Sequence, residues 1–203
     1  MRGWKVAFLA GLDYARMPAD SVIASLKGLG YEGIEWTTSH FDVDLPVADL
    51  RALVGKTRDA GMDVSRIMAH EDLVSLDDDA RRVRIDRTVR AIHAAGECDV
   101  ATVGTMTGPA PWDANAPKVG RDISESAAWA QVFEAYAAFS TAAEAAGVVH
   151  LVRGRLRHAG ARLLHASLPD RPARQPGAEG ESGPFARNPL RELRRSVGRA
   201  RMG

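Results

Sequence analysis

Residues 62–109, MDVSRIMAHEDLVSLDDDARRVRIDRTVRAIHAAGECDVATVGTMTGP, constrain the fold more than any other stretch of this chain. An apolar run, Met62–Ala69, reads as a strand. A polar turn, a long amphipathic segment and a second apolar run, Val100–Thr105, follow it. A helix-length connection of this kind is what parallel neighbours require, because a tight turn joins only antiparallel strands. The first strand runs out into His70, Glu71 and Asp72. Ligands of parallel α/β folds sit beyond the carboxyl ends of the strands, so His70 is expected on the functional face.

The same unit repeats along the chain. Lys5–Gly11 is a short buried strand, and Pro18 suits the first turn of a helix carrying Val22, Leu26 and Leu29 on one stripe. Gly28 and Gly30 punctuate its end. Gly33–Thr37 is the second strand, with Glu35 and Trp36 near its exit. Asp44 and Pro46 open a second helix with Val47, Leu50 and Val54 inward, and Gly61 stops it. Ser75 and Asp78 form an S-x-x-D capping pattern before the third helix, whose core stripe is Ile85, Val89 and Ile92 and whose wet side is Arg82, Asp86 and Arg90. A long loop, Gly108–Arg121, leads to a fourth helix starting at Asp122, with Trp129, Val132, Phe133 and Tyr136 as its expected core face. Gly147 ends it, and Val148–Val149 begins a fifth strand.

This alternation predicts an α/β fold with a parallel sheet covered by helices. A doubly wound sheet and a TIM-type barrel both fit. A dinucleotide-binding unit does not, since LAGLDYA after the first strand lacks the glycine spacing that admits a pyrophosphate, and no G-x-x-x-x-G-K-[ST] loop occurs. The one cysteine, Cys98, excludes an intramolecular disulfide framework and a Cys-rich zinc site. No apolar run approaches the roughly 18–20 residues that span a bilayer. The apolar segment of MRGWKVAFLAGLDY, about 5–6 residues, falls short of the ~7–15 of an export signal. The expected compartment is the cytoplasm.

The run Leu26–Trp36, LKGLGYEGIEW, the strand ending Ala69-His70 and the unit AIHAAGECDVATVGTMTGP (Ala91–Pro109) resemble the amino-terminal half of the xylose-isomerase-like TIM barrels. The resemblance covers roughly residues 4–150 and favours the sugar and sugar-phosphate isomerases and epimerases over the AP endonucleases of that superfamily. It implies a partial (β/α)8 TIM barrel of about four βα units over residues 1–149. It also implies a divalent metal (Mn, Mg, Co or Zn) on acids and a His carried by strands five to eight, and metal-assisted proton transfer next to a carbonyl. Those strands are not recognisable here, so the chain is expected to be truncated and inactive, to bind metal weakly at best, and to use no metal ligand or catalytic residue that the sequence identifies. An AP-endonuclease-like hydrolase would need more His and acid ligands at the ends of strands one to four. A non-catalytic binding module is the other alternative.

From His150 the text changes. Residues 151–203 hold 12 Arg, no Lys and four acids, a net +8, whereas the first 150 hold 15 bases and 22 acids, a net −7. All four Lys and all four Trp precede residue 130. Residues 150–203 are therefore set apart as an irregular or disordered Arg-rich tail. Arg-rich text where strand five should run suggests a reading-frame shift in a GC-rich gene. One nucleotide later the codons of Val149–Ala166 permit STSSEGVFGMLAHDFYTH, which resembles a strand five ending in its Glu and continues with balanced aromatics. A genuine basic tail would instead bind polyanions nonspecifically, and the lack of Lys and of interleaved aromatics argues against specific nucleic-acid recognition.

The candidate substrate-binding residues are Glu35, Trp36, His70, Thr107 and Trp112. His70 offers a wall or a ligand, against a turn histidine bonded to Glu71 or Asp72. Glu35 offers a partner for a sugar hydroxyl, against a charge paired with a neighbouring strand. Trp36 and Trp112 offer platforms for the apolar face of a sugar, against loop packing. Thr105 and Thr107 are expected at the same mouth as His70. His93 and Cys98 read as structural, and Asp77–Asp79 as compensation of a helix dipole. The expected partners are a small sugar or sugar phosphate and a further copy of the chain, with no specific nucleic acid and no membrane.

Overall fold

The computed structural model describes residues 5–110 and 113–153. Five strands and four helices alternate: β1 (Ala7–Ala10), α1 (Ala19–Gly28), β2 (Gly33–Thr37), α2 (Val47–Asp59), β3 (Asp63–Ala69), α3 (Asp78–Glu97), β4 (Thr102–Met106), α4 (Glu125–Ala146) and β5 (Val149–Arg153). A short 3₁₀ turn, Leu12–Arg16, follows β1. The strands form one sheet in the order β1-β2-β3-β4-β5, every pair parallel. A doubly wound sheet reverses its strand order partway, and this one never does. Successive helices also touch, α1 to α2, α2 to α3 and α3 to α4. That is the arrangement of a barrel wall, here a partial (β/α)8 TIM barrel.

The two faces of the sheet follow from strand alternation. Ala10, Ile34, Trp36, Ile67, Ala69 and Val103 join α1–α4 in the main apolar core. Leu9, Glu35, Thr37, Arg66, Met68 and Gly104 lie on the opposite, barrel-interior face, where a Cβ on Gly104 would stand 3.1 Å from the Met68 sulfur and 3.4 Å from Arg66 Cδ. Parity along β3 holds because of one irregularity. Ile34 pairs with Val64 but Glu35 pairs with Arg66, which leaves Ser65 as an extra residue.

Several local expectations hold. β2 has the bounds that the sequence suggests, and Gly147 caps α4 at φ 66° in the left-handed region that glycine enters without a Cβ penalty. Others are corrected. The cap of α3 is Asp77, whose carboxylate accepts from the Asp79 and Ala80 amides, while Ser75 Oγ accepts from the Asp77 amide and sits outside the helix. Leu29 lies beyond the last turn of α1 and is 68% exposed; Ile23 completes the stripe instead. On α4 the inward positions are Ala128, Val132, Ala135, Phe139, Ala142 and Ala143, and Phe133 is 53% exposed. α4 turns its small residues to the sheet, so the aromatic run lies partly outward. β5 pairs with β4 over Thr102–Met106, so among the described residues the edges of the sheet are β1 and β5. No helix among the described residues is long and apolar enough to cross a membrane.

Candidate functional site

The carboxyl ends of the strands form a mouth built from the segments after β1–β4. His70 stands one residue beyond β3 and is exposed; Thr107 stands one residue beyond β4 and is buried. These two candidates leave adjacent, paired strands. Glu71, next to His70, is half-buried. Burial pushes its carboxyl above the ordinary glutamate value, and Arg87 and Arg84 pull it partly back. Arg87 Nε lies 3.6 Å from Glu71 Oε1. Its Nη2 reaches Asp42 at 2.8 Å and its Nη1 reaches Asp44 at 3.2 Å. One guanidinium on α3 thus links the segment after β2 with the segment after β3. Arg90 makes a second contact to Asp44 at 2.7 Å, and this bond holds the Asp44 carboxyl below its ordinary value.

Glu35 sits deeper, on the interior face of β2, and only 8% of it is exposed. Its Oε2 meets Arg66 Nη2 of β3 at 2.7 Å, so the charge has the neighbouring-strand partner weighed against a substrate role. Glu35 Oε1 and Arg66 Nε are buried with no hydrogen-bond partner among the described residues. Each leaves a costly polar valence facing the barrel interior. The pair forms a polar floor beneath the mouth.

Trp36 goes the other way. It is fully buried on the helix side of β2, and its indole Nε1 donates to Thr57 Oγ1 of α2 at 3.1 Å. Alternation makes this unavoidable: if Glu35 faces the barrel interior, Trp36 must face the helices. The structure does not bring Trp36 to the mouth. Thr105 likewise turns to the helix side, where its hydroxyl bonds His150 Nε2 of β5 at 2.7 Å, beneath Tyr136 and Phe139 of α4. Burial lowers the His150 pKa and raises that of Tyr136 to about 12. Trp112 lies outside the described residues. His93 is exposed on α3, and Cys98 is buried with its thiol pushed up by desolvation.

Arg66, Arg84 and Arg87 are the site residues that the periodicity reading passed over. The signal was present: Arg81, Arg84, Arg87 and Arg90 recur every third residue along α3. Arg84 donates to the Asp72 carbonyl and Arg81 pairs with Glu134 of α4. A divalent cation would need several acids or imidazoles around one point, and among the described residues no three His, Cys, Asp or Glu side chains gather in that way. Glu35 is taken by Arg66 and Glu71 lies against Arg87, so the described residues do not by themselves fit the metal that the resemblance implies.

A family model described as xylose isomerase-like TIM barrel matches residues 23–153. No curated protein matches the chain by sequence. Among solved structures, D-psicose 3-epimerase in the presence of D-fructose superposes with a TM-score of 0.57 at 17% identity, over 72% of this chain and 51% of that one. The apo 3-keto-D-glucoside 4-epimerase of E. coli gives 0.57 at 14% identity, over 74% and 56%. A xylose isomerase-like TIM barrel protein from Mycobacterium smegmatis in complex with magnesium gives 0.52 at 16%, over 73% and 54%. The chain spans about half the length of these structures, and at such identities the likeness is one of fold. The singly wound parallel sheet, its polar mouth and the matched family model agree: the chain belongs to the xylose isomerase-like TIM barrel family.

Proposed function

We propose that this chain carries the substrate-binding wall of a sugar isomerase or epimerase, with His70 and Thr107 at the mouth and Glu35 in the floor beneath it. The observation that supports this reading most is the placement of His70, Glu71 and Thr107 together, on adjacent strand ends at the ligand-binding end of a family barrel. A polyhydroxylated ligand suits such a lining, since it offers a donor or acceptor to each polar group. The proton transfer beside a carbonyl that the family resemblance implies would need groups that residues 5–110 and 113–153 do not assemble. The chain by itself is therefore expected to bind a ketose weakly and to epimerise none. The expected frame break near residue 149 falls inside β5, which pairs with β4 through Arg153; we further propose that the Arg-rich sequence after β5 is read off-frame, which sequencing the gene and its flanks around those codons tests.

The test is direct. The purified 203-residue chain is mixed with D-fructose or D-tagatose, with and without added Mn²⁺. Binding is read by saturation-transfer difference NMR and turnover by chromatography of the sugars. Saturation transfer that weakens on His70→Ala supports the binding wall. Absence of any transfer refutes it, and measurable epimerisation that Mn²⁺ restores refutes the predicted inactivity.

A further inference from the structure

The segment after β3 is unusually well fixed. Leu73 and Val74 are buried in the core, the Asp72 carbonyl accepts from Arg84 Nη1 at 3.3 Å, and Ser75 exchanges two hydrogen bonds with Gln131 of α4, at 3.0 and 2.8 Å. From this fixed segment the Asp72 side chain reaches across to the exit of β4. Its Oδ2 accepts from the Ala110 amide at 2.8 Å and its Oδ1 accepts from the Val74 amide at 3.2 Å. Gly108 lies against the same carboxylate. A Cβ there would stand 2.1 Å from Asp72 Oδ1, and the residue has φ +69°, a conformation that side chains rarely adopt. Two independent demands therefore require glycine at 108, and both keep the β4 exit within reach of one carboxylate.

We propose that Asp72 is a positioning residue of the mouth, a latch that sets the β4 exit, Thr107–Ala110, against the β3 exit carrying His70. The proposal rests on the binding-wall reading for its functional consequence, but the latch itself is a matter of geometry. Asp72 touches no substrate in this account. It acts through the Ala110 amide and through the close fit of Gly108, and so decides whether Thr107 and His70 address one ligand together.

Three variants of the full chain test it: Asp72→Ala, Asp72→Asn and Gly108→Ala. Amide hydrogen exchange at Ala110 and D-fructose affinity are measured for each, with hydrogen exchange in α1 and α2 as the control for global unfolding. A carboxylate–amide bond of this kind is worth enough that its loss should speed Ala110 exchange by roughly tenfold or more. Asp72→Asn, which keeps one acceptor oxygen, should fall between wild type and Asp72→Ala. Fructose affinity should follow the same rank order while α1 and α2 remain protected. Unchanged Ala110 protection in Asp72→Ala overturns the latch. Faster Ala110 exchange with undiminished fructose affinity overturns its positioning role. A wild-type chain that binds no fructose removes the binding-wall reading, and Ala110 exchange then decides the latch alone.

Discussion

Thr57→Val tests the assignment of Trp36 to the sheet–helix layer. Thr57 Oγ1 accepts from Trp36 Nε1 at 3.1 Å and donates to the Leu53 carbonyl at 2.9 Å, and both residues are fully buried. Valine has nearly the same shape as threonine, so the change opens no cavity. It leaves the indole N–H without an acceptor, and a buried donor left unpaired costs about 1–3 kcal/mol. The Leu53 carbonyl loses only its extra donor, so the indole dominates the loss. Thr57→Ser, which keeps the hydroxyl, should lose less. Trp36→Phe combined with Thr57→Val should be less destabilised than the two single changes summed, by about 0.5–3 kcal/mol of coupling. Urea denaturation followed by far-UV circular dichroism measures all four variants. A Thr57→Val chain as stable as wild type, or one that loses ketose binding at unchanged stability, would refute the placement of Trp36.

Two further outcomes follow from the same structure. His150 is held neutral by burial, so its folded pKa lies below its unfolded value near 6.5, and its contribution to stability is present above that pH and lost as pH falls through the folded pKa; melting temperature measured down this range should drop, and His150→Gln should flatten the slope. Asp77→Ala should cost about 1 kcal/mol, because two amides of the first turn of α3 lose their acceptor, whereas Ser75→Ala should cost less; equal losses in paired urea titrations would return the cap to Ser75.

The layout of the barrel wall was legible because burial on both faces makes parallel strands read as short apolar runs, and glycines at 30, 61 and 147 mark the turns. β2 was located to the residue for that reason. The faces of the helices were harder. On α4 hydrophobicity alone ranks Phe133 above Ala135, yet close packing against the sheet selects alanine, and the larger ring turns outward. For the candidate site, the position of His70 just past β3 was legible, since the apolar run of that strand ends on Ala69. Trp36 shows the weakness of the same reasoning, because nearness to a strand exit says nothing of the side chain's face until the parity of the strand is known. Arg87 and Asp72 escaped because their partners lie 12–45 residues away in the chain, a distance at which no local pattern reports a contact.

The extra residue in β3 has a consequence of phase. Val64 and Ile67 both pack toward the helices, although they stand three positions apart and strict alternation would oppose them. Ser65 absorbs the mismatch; its hydroxyl donates to the Ile34 carbonyl and its carbonyl accepts from Thr102, so the irregularity is stitched into the strands on either side. It works like a half-step in a staircase, letting the lower and upper flights of β3 start on opposite feet and still face the same way. Arg66 meets Glu35 because of that half-step. A chain lacking it would have to choose between burying Val64 and delivering the guanidinium to the barrel's interior.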